Sequence, residues 1–599
     1  MTFKNYSDHP ERSLTRPVNS QKITYILAAV VVAGLLIYVG VTNFGGSDQS
    51  GSSSEEESAQ NDSNSSSGAS SDIASGSDYE GYGVSTDNEL ATDAGMEILE
   101  QGGNAADAAV ATSFALTVTE PYGSGIGGGG AALVMNGPND EPATYDYREE
   151  ASTTSRDLNS AVPGFVRGME TLLEEEGSGQ FTLAELMDPA IEYAEEGYEI
   201  NNYLAQRMAF AQPRLNQQNS PDFFGEDGDP LGEGETLVQE EYAQTLRTLQ
   251  EEGPESFYSA DGTIAQQLTT DHPHITTESL QQYDVQTPEV AQGTFEGQNV
   301  YSVPSPLSGV TLIQMLGMGE RLNIGEALQG NEADYIHTMS AITREAYYQR
   351  LENLGDPAFN EISTEEYVSE GTIDDLAQSV REDRLDTEEL ENEVGYESSD
   401  GQNTITHSST THVNVMDEDG NTVALTNTLG NFFGSGQTSG GMFLNNQLNN
   451  YNETESSPNN IEVGKRPRSF IAPTIIQDPE EETVMGVGSP GGSRIPAAMA
   501  EVIFRMEYLD QSYEEAFAAN RSFVDVVEGQ ATLAVENGDQ AENAELIEEI
   551  NNKYGDRYFI APDKGPSYFG NVTALIKDYD DEEMQGIIDQ RRGGSAQTQ

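Results

Sequence analysis

A run of alternating polar and apolar residues, Thr406-His407-Ser408-Ser409-Thr410-Thr411-His412-Val413-Asn414-Val415, is followed after Asp417-Glu418-Asp419-Gly420-Asn421 by a second, Thr422-Val423-Ala424-Leu425-Thr426-Asn427-Thr428. Side chains of a strand point alternately to opposite faces, so two such runs flanking an Asp-Gly pair predict a β-hairpin. A two-residue turn at Asp419-Gly420 makes paired residue numbers sum to a constant, which sets Thr428 opposite Thr411 and beside Thr410. Three hydroxyls then gather at the open end of the hairpin.

A threonine hydroxyl is a poor nucleophile without an adjacent base, and one source of that base is the residue's own α-amino group. Such chemistry requires Thr410 to become an amino-terminus by cleavage of the Ser409-Thr410 bond. The competing reading is that Thr-Thr merely fills a strand, where β-branched residues are enriched. The rest of the chain decides between them.

The length of 599 residues is ample for one large α/β unit or two closely joined ones. A formal charge of −76, from Asp+Glu 103 against Lys+Arg 27, is spread over nearly every segment. This predicts a solvating surface suited to high salt, a halophilic adaptation, and excludes nucleic acid as a partner. Cysteine is absent, which excludes disulfides, thiol catalysis, a lipid-anchored lipoprotein and cysteine-ligated metal.

Residues 23–41 carry no charge and are mostly Ile, Leu, Val and Ala, with Lys4, Arg12, Arg16 and Lys22 before them and acid after. That pattern predicts one transmembrane helix, residues 22–44, behind a cytoplasmic tail, residues 1–21. The remainder is then expected outside the cell membrane, single-pass, or released if the anchor is cleaved; a cleaved signal peptide is the competing reading. Residues 45–78 are Ser, Gly, Asn and acid with almost nothing apolar, which predicts a disordered linker.

Folded sequence begins near Tyr79. Helical spacing over residues 90–101 ends at Gly102-Gly103, and Asn104 caps an Ala-rich second helix running to about Thr119 that should be buried all round. Gly125-x-Gly127-x-x-Gly130 matches a dinucleotide fingerprint in letters only, because a helix precedes it and a strand follows. Those glycines are read as permitting close backbone packing or approach to a substrate. Arg148, among acids in Tyr147-Arg148-Glu149-Glu150, reads as a surface ion pair ahead of a carboxylate clamp.

Helices dominate residues 160–393, and the acidic stretch 361–400 reads as an exposed, mobile approach to the cleavage site. Beyond the hairpin, 442–450 reads as a strand with amide-rich ends. Thr483-Val484-Met485-Gly486-Val487 reads as a strand entering Gly488-Ser489-Pro490-Gly491-Gly492-Ser493-Arg494 and a helix over 495–509. Unsatisfied N–H groups at such a turn suit the oxyanion of acyl transfer, and no Walker pattern or Gly-x-Ser-x-Gly elbow competes. His272-Pro273-His274 is the closest approach to metal-ligand spacing and reads as a loop; no metal and no cofactor are called for.

Taken together, Gly102-Gly103-Asn104-Ala105-Ala106-Asp107-Ala108, Gly127-Gly128-Gly129-Gly130, Tyr147-Arg148-Glu149, Val162-Pro163-Gly164, Thr410-Thr411-His412, Asn445-Asn446-Gln447, Lys465-Arg466-Pro467 and the 488–494 turn resemble the gamma-glutamyltransferase family of the N-terminal-nucleophile hydrolase superfamily. The resemblance covers roughly Tyr79 to the end. It implies an α/β (α+β) fold, a four-layer αββα sandwich preceded by the transmembrane helix and linker. It also implies autocleavage into a large subunit, 79–409, and a small subunit, 410–599.

By resemblance, Thr410 cleaves the chain after Ser409 and then carries the γ-glutamyl group as an ester resolved by amine or water. Thr428 hydrogen-bonds it, Gly491 and Gly492 form the oxyanion hole, and Arg148 clamps the substrate carboxylate, which replaces the surface ion-pair reading. Gln447 belongs to the substrate site. Departures fall on the substrate: Gly430 and Asn450 stand where relatives have groups for the glutamyl α-amino group, and Ser469-Phe470 where they have Ser-Ser. A neutral, partly apolar rim weakens the case for a free amino-acid γ-glutamyl head group such as glutathione's and is similar to the capsule-depolymerase branch, which handles poly-γ-glutamate; a glutathione-like compound or a γ-glutamyl polymer is the donor the resemblance leaves. Acylase-like amidohydrolase activity and a catalytically silent surface protein are the alternatives.

Overall fold

The computed structural model describes residues 81–212, 214–382, 408–452, 454, 456–527, 530–536, 540–555, 557–561 and 565–599. Its centre is a pair of six-stranded antiparallel sheets. The first runs, in spatial order, β12 (Ser595–Thr598), β1 (Gly83–Thr86), β6 (Ser408–Met416), β7 (Thr422–Asn431), β2 (Gly129–Met135), β3 (Ala143–Tyr147). The second runs β11 (Glu583–Ile588), β10 (Thr573–Asp578), β9 (Thr483–Gly488), β8 (Thr474–Asp478), β5 (Gln298–Ser302), β4 (Ala291–Phe295).

The layering follows from period-2 alternation. On β2, Ala132 and Val134 join the apolar cluster formed with helices α1 (Glu89–Glu100) and α2 (Ala105–Thr119). Ala131, Leu133 and Met135 face the other way, into the cluster that holds Ile475, Val484 and Val487 of the second sheet. That cluster continues through α3 (Gly309–Arg321), α4 (Glu332–Asn353) and α5 (Ile495–Tyr508). The αββα sandwich is therefore present, with both sheet faces covered.

Every residue of α2 is buried, as its uniformly apolar sequence predicts. Asn104 and Asp107 form its capping box, and the Asp417 carboxylate accepts from the Ala105 N–H at 2.9 Å, which fastens the hairpin turn to the helix amino-terminus.

The hairpin forms in a register one residue away from the predicted one. Met416 pairs with Thr422, and Asp417 N–H donates to Asn421 O at 3.1 Å, leaving a three-residue loop with Gly420 at φ +82°. A left-handed third residue is the usual way to close such a loop, whereas a two-residue Asp-Gly turn would have paired Glu418 with Asn421. The consequence is that Thr410, not Thr411, lies directly opposite Thr428.

Other expectations are corrected. Residues 442–450 are not one strand: Met442–Phe443 is a short strand and Gln447–Asn450 a 3-10 turn. Helix Glu370–Glu382 occupies part of the acidic stretch read as mobile and buries Ile373, Leu376 and Ala377; residues 383–407 lie outside the described residues.

The membrane anchor is also corrected. No helix among the described residues is long and apolar enough to cross a membrane. Glu332–Asn353 has 22 residues but carries acids and arginines along its length, and α2 is uncharged but for Asp107 yet spans about 22 Å, short of the ~30 Å of a bilayer core. Residues 1–78, with the predicted tail, span 22–44 and linker, lie outside the described residues. Among the described residues the sandwich therefore carries no transmembrane helix, and the single-pass membrane location, the extracellular placement and the membrane as partner, all read from residues 22–44, find no support there. The halophilic reading of the acidic surface also finds no support.

Candidate active site

The open end of the hairpin coincides with an irregularity in its ladder. Thr410 pairs with Thr428, but Ser409 pairs with Gly430, so Leu429 is an extra residue in β7 and a β-bulge falls at the Ser409-Thr410 bond. The Thr428 hydroxyl sits at the centre of the bulge. It donates to the Ser409 carbonyl at 2.7 Å, accepts from the Gly430 N–H at 2.9 Å and accepts from the Thr410 hydroxyl at 3.4 Å. One donor and two acceptor sites are all that a hydroxyl has, and all are used. Both threonines are buried.

Glycines let this arrangement close up. A Cβ on Gly128 of the loop leading into β2 would lie 2.4 Å from the Thr428 carbonyl oxygen, so the glycine run serves close backbone packing. Gly430, at φ +96°, has its own reason to be glycine: a Cβ there would lie 2.1 Å from Asn446 Oδ1, which also accepts from the Asn431 N–H at 2.8 Å.

Around Thr410 and Thr428 a cavity is lined by Gly430, Gln447, Asn450, Ser469, Phe470 and Gly492. Of the residues predicted from sequence, eight line it together. Gly491 lies one residue behind Gly492, with φ +149° and +60° respectively, where β9 ends and a short 3-10 turn leads into α5. Arg148 lies behind Ser469, to whose hydroxyl its Nη1 donates at 2.8 Å. Its Nε pairs with Glu149 at 2.9 Å, both side chains fully buried, so the ion pair read from sequence exists but not at the surface. Arg148 Nη2 is buried and has no partner among the described residues.

The loop carrying Ser469 and Phe470 is held by the cations before it. Arg466 donates to the carbonyls of Asp146 and Asp284 and pairs with Glu150 at 3.0 Å. Burial pushes the Glu150 carboxyl up to about 7 although Arg466 opposes the shift. Arg468 donates to the carbonyls of Arg350 and Leu351. Asn450 Nδ2 donates to Gln447 Oε1 at 2.6 Å, so this wall of the cavity is a pair of neutral amides. Arg350 stacks over Phe470, its guanidinium carbon 3.5 Å from the ring centroid.

Arg350, Arg468, Asn449, Tyr451 and Asn452 also line the cavity and were not predicted from sequence. Arg468 had a signal, since it follows Lys465-Arg466-Pro467, whereas Arg350 arrives from α4 with none.

His412, two residues past Thr410, is not a base for it. Its Nδ1 faces Thr426 Oγ1 at 2.8 Å and its Nε2 faces Asn414 Oδ1 at 2.9 Å, inside the sandwich. Burial lowers its pKa to about 4, so the ring is neutral. His272 and His274 each face a backbone carbonyl, of Thr438 and Ser160. The chemistry this geometry offers is acyl transfer at a buried threonine, with a hydroxyl donor on the peptide carbonyl that precedes it.

The gamma-glutamyltranspeptidase family model matches residues 91–598. The capsule biosynthesis protein CapD proenzyme of Bacillus anthracis is 35% identical over 533 residues, covering 87% of this chain and 92% of that one. The glutathione hydrolase proenzyme of Escherichia coli (strain K12) is 32% identical over 478 residues, covering 73% and 79%. Among solved structures, the cephalosporin acylase from Bacillus halodurans superposes with a TM-score of 0.71 at 23% identity, over 87% of this chain and 96% of that one, which speaks to the fold alone. The chain belongs to the gamma-glutamyltranspeptidase family, an N-terminal-nucleophile hydrolase group.

Proposed function

We propose that the chain is the precursor of a γ-glutamyl amide hydrolase/transpeptidase that processes itself at Ser409-Thr410 and works through a threonyl γ-glutamyl ester. The observation that carries this reading is the Thr428 hydroxyl, held between the nucleophile and the carbonyl that must be attacked. In processing, Thr410 Oγ attacks the Ser409 carbonyl carbon while the Thr428 O–H stabilises the developing oxyanion. The C–N bond breaks, the nitrogen takes the hydroxyl proton and becomes the α-amine, and water hydrolyses the resulting ester. The products are a chain ending at Ser409, which carries the large subunit, 79–409, and a small subunit, 410–599.

In turnover the freed α-amine takes the Thr410 hydroxyl proton and Oγ attacks the donor's γ-carbonyl. The N–H groups at Gly491 and Gly492 receive the oxyanion. The leaving amine takes the proton, and water or an acceptor amine then resolves the ester. Arg148 Nη2 and Ser469 hold the donor carboxylate, and the Gln447–Asn450 amides face its α-substituent. No cofactor enters these steps.

The donor is proposed to be a glutathione-like compound or a γ-glutamyl polymer. A second reading, an acylase-like amidohydrolase, is favoured by Gly430 and by the Gln447–Asn450 pair, which offer no carboxylate to an α-ammonium group. Anilides of γ-glutamate and of glutarate, which lacks that ammonium, separate the two. A higher kcat/KM for the γ-glutamyl anilide supports the first reading, and a higher one for the glutaryl anilide supports the second. Turnover of neither, nor of a poly-γ-glutamate chain, by the processed enzyme points to the silent surface protein.

A further inference from the structure

The nucleophile and the oxyanion turn belong to different sheets, so their spacing depends on links that cross the sandwich. One such link runs through a buried carboxylate. Strand β1 pairs with β6 as far as Thr86 opposite Val413, and the next residue, Asp87, stands opposite His412. There the Asp87 side chain takes over from the ladder: Oδ2 accepts from the His412 N–H at 3.4 Å. Its other oxygen accepts from Asn571 Nδ2 at 2.5 Å. The Asn571 N–H donates to Ser489 Oγ at 3.1 Å, and the Ser489 hydroxyl donates to the Pro490 carbonyl at 2.7 Å, one residue before Gly491.

Asn571 is itself fixed, its Oδ1 accepting from the Arg592 N–H at 3.1 Å. All of these polar groups are buried. On the other side of the link, the His412 ring lies so close to Gly488 that a Cβ there would be 2.2 Å from a ring carbon.

A carboxylate in such a place is costly, because burial disfavours its charge and raises its pKa, while Asn571, Arg592 and the His412 N–H work the other way. Glu120, also buried with a raised pKa, adds to the cost nearby. Closing β6 against β1 needs no carboxylate, since a backbone carbonyl would serve. What the carboxylate adds is a second acceptor oxygen, which reaches Asn571 and through it the turn.

We propose that Asp87 is a positioning residue: with Asn571 and Ser489 it sets the distance between the Thr410 strand and the Gly491-Gly492 turn. This rests on the reading of Thr410 as nucleophile and of the turn as oxyanion hole. Displacing a preorganised group by about 1 Å costs on the order of 10²-fold in rate, so loss of either oxygen's contact should appear in acylation rather than in donor binding.

The test is rapid-quench acylation of Thr410 by γ-glutamyl-p-nitroanilide in wild type, Asp87→Asn, Asp87→Ala, Asn571→Ala and the Asp87→Ala/Asn571→Ala double variant, with each rate normalised to processed enzyme. Asp87→Ala and Asn571→Ala should slow acylation by roughly 10- to 100-fold with KM within about twofold. Asp87→Asn, which keeps one acceptor, should fall between them and wild type, and the double variant should be no slower than the worse single one. If Asp87→Ala does not fold, Asn571→Ala, which removes no charge, decides. Acylation within threefold of wild type in Asn571→Ala, additive effects, or a change confined to KM would overturn the proposal. Absence of any glutamyl adduct on wild-type Thr410 would instead overturn the reading on which it rests.

Discussion

Replacing Thr428 by valine removes one hydroxyl and keeps the shape of the side chain. In the structure that hydroxyl supplies the 2.7 Å donor to the Ser409 carbonyl, and its 3.4 Å contact with Thr410 is near the limit of a useful hydrogen bond. The carbonyl donor therefore carries most of the effect, and loss of one oxyanion donor costs about 10²- to 10³-fold in rate, or ~3 kcal/mol. The variant also leaves the Gly430 N–H without its acceptor, about 1–3 kcal/mol of stability, which a domain of this size tolerates. Precursor made by cell-free synthesis and sampled by intact mass gives the processing rate directly. Thr428→Val should process two to three decades more slowly than wild type, and Thr428→Ser, which restores the oxygen, within about tenfold of it. Processing of Thr428→Val at the wild-type rate, with its thermal unfolding still cooperative, would refute the assignment of that hydroxyl.

Arg148→Lys should keep a charge beside Glu149 but lose the planar fork, lowering kcat/KM for γ-glutamyl anilide by on the order of 10²-fold while processing continues; equal kcat/KM would argue against the clamp. Gly128→Ala puts a methyl 2.4 Å from the Thr428 carbonyl oxygen, so urea unfolding should show a loss of about 1–3 kcal/mol together with slowed processing. His412 is held neutral, with a pKa lowered from 6.5 to about 4. The folded state then binds fewer protons than the unfolded one between those values, so about 3 kcal/mol of stability, complete above pH 6.5, is lost as pH falls through 4. Urea unfolding of wild type and His412→Asn across this window should show a shallower loss in the variant, and parallel slopes would contradict the buried neutral ring.

Much of the candidate site's geometry is legible in the sequence because its parts are local. Thr410 and Thr428 lie on one hairpin, and Gly491-Gly492 marks a strand-to-helix turn whatever the rest of the fold does. The hairpin register missed by one because an Asp-Gly pair closes either a two- or a three-residue loop, and only Asn421 bonding back to Asp417 selects the longer one. Residues 442–450 were misread because side-chain amides take over bonds that a strand would have made: Asn445 Oδ1 accepts from the Ala161 N–H, and its Nδ2 donates to the carbonyls of Gly127 and Ala161. Arg350 and Asp87 were invisible because each reaches the centre from an element distant in sequence, and nothing in their own segments marks them. Gly430 reads from sequence as standing where relatives have a group for the glutamyl α-amino group, whereas the bulge and Asn446 leave no room for a side chain.

The most direct test of Thr410 as the processed nucleophile is peptide-mapped mass spectrometry of the purified protein, acid-quenched during turnover of γ-glutamyl-p-nitroanilide. The account predicts two chains, the smaller beginning Thr410-Thr411-His412, with a glutamyl adduct on the Thr410 side chain. An uncut chain that turns the donor over, or an adduct mapped to any other residue, would contradict it.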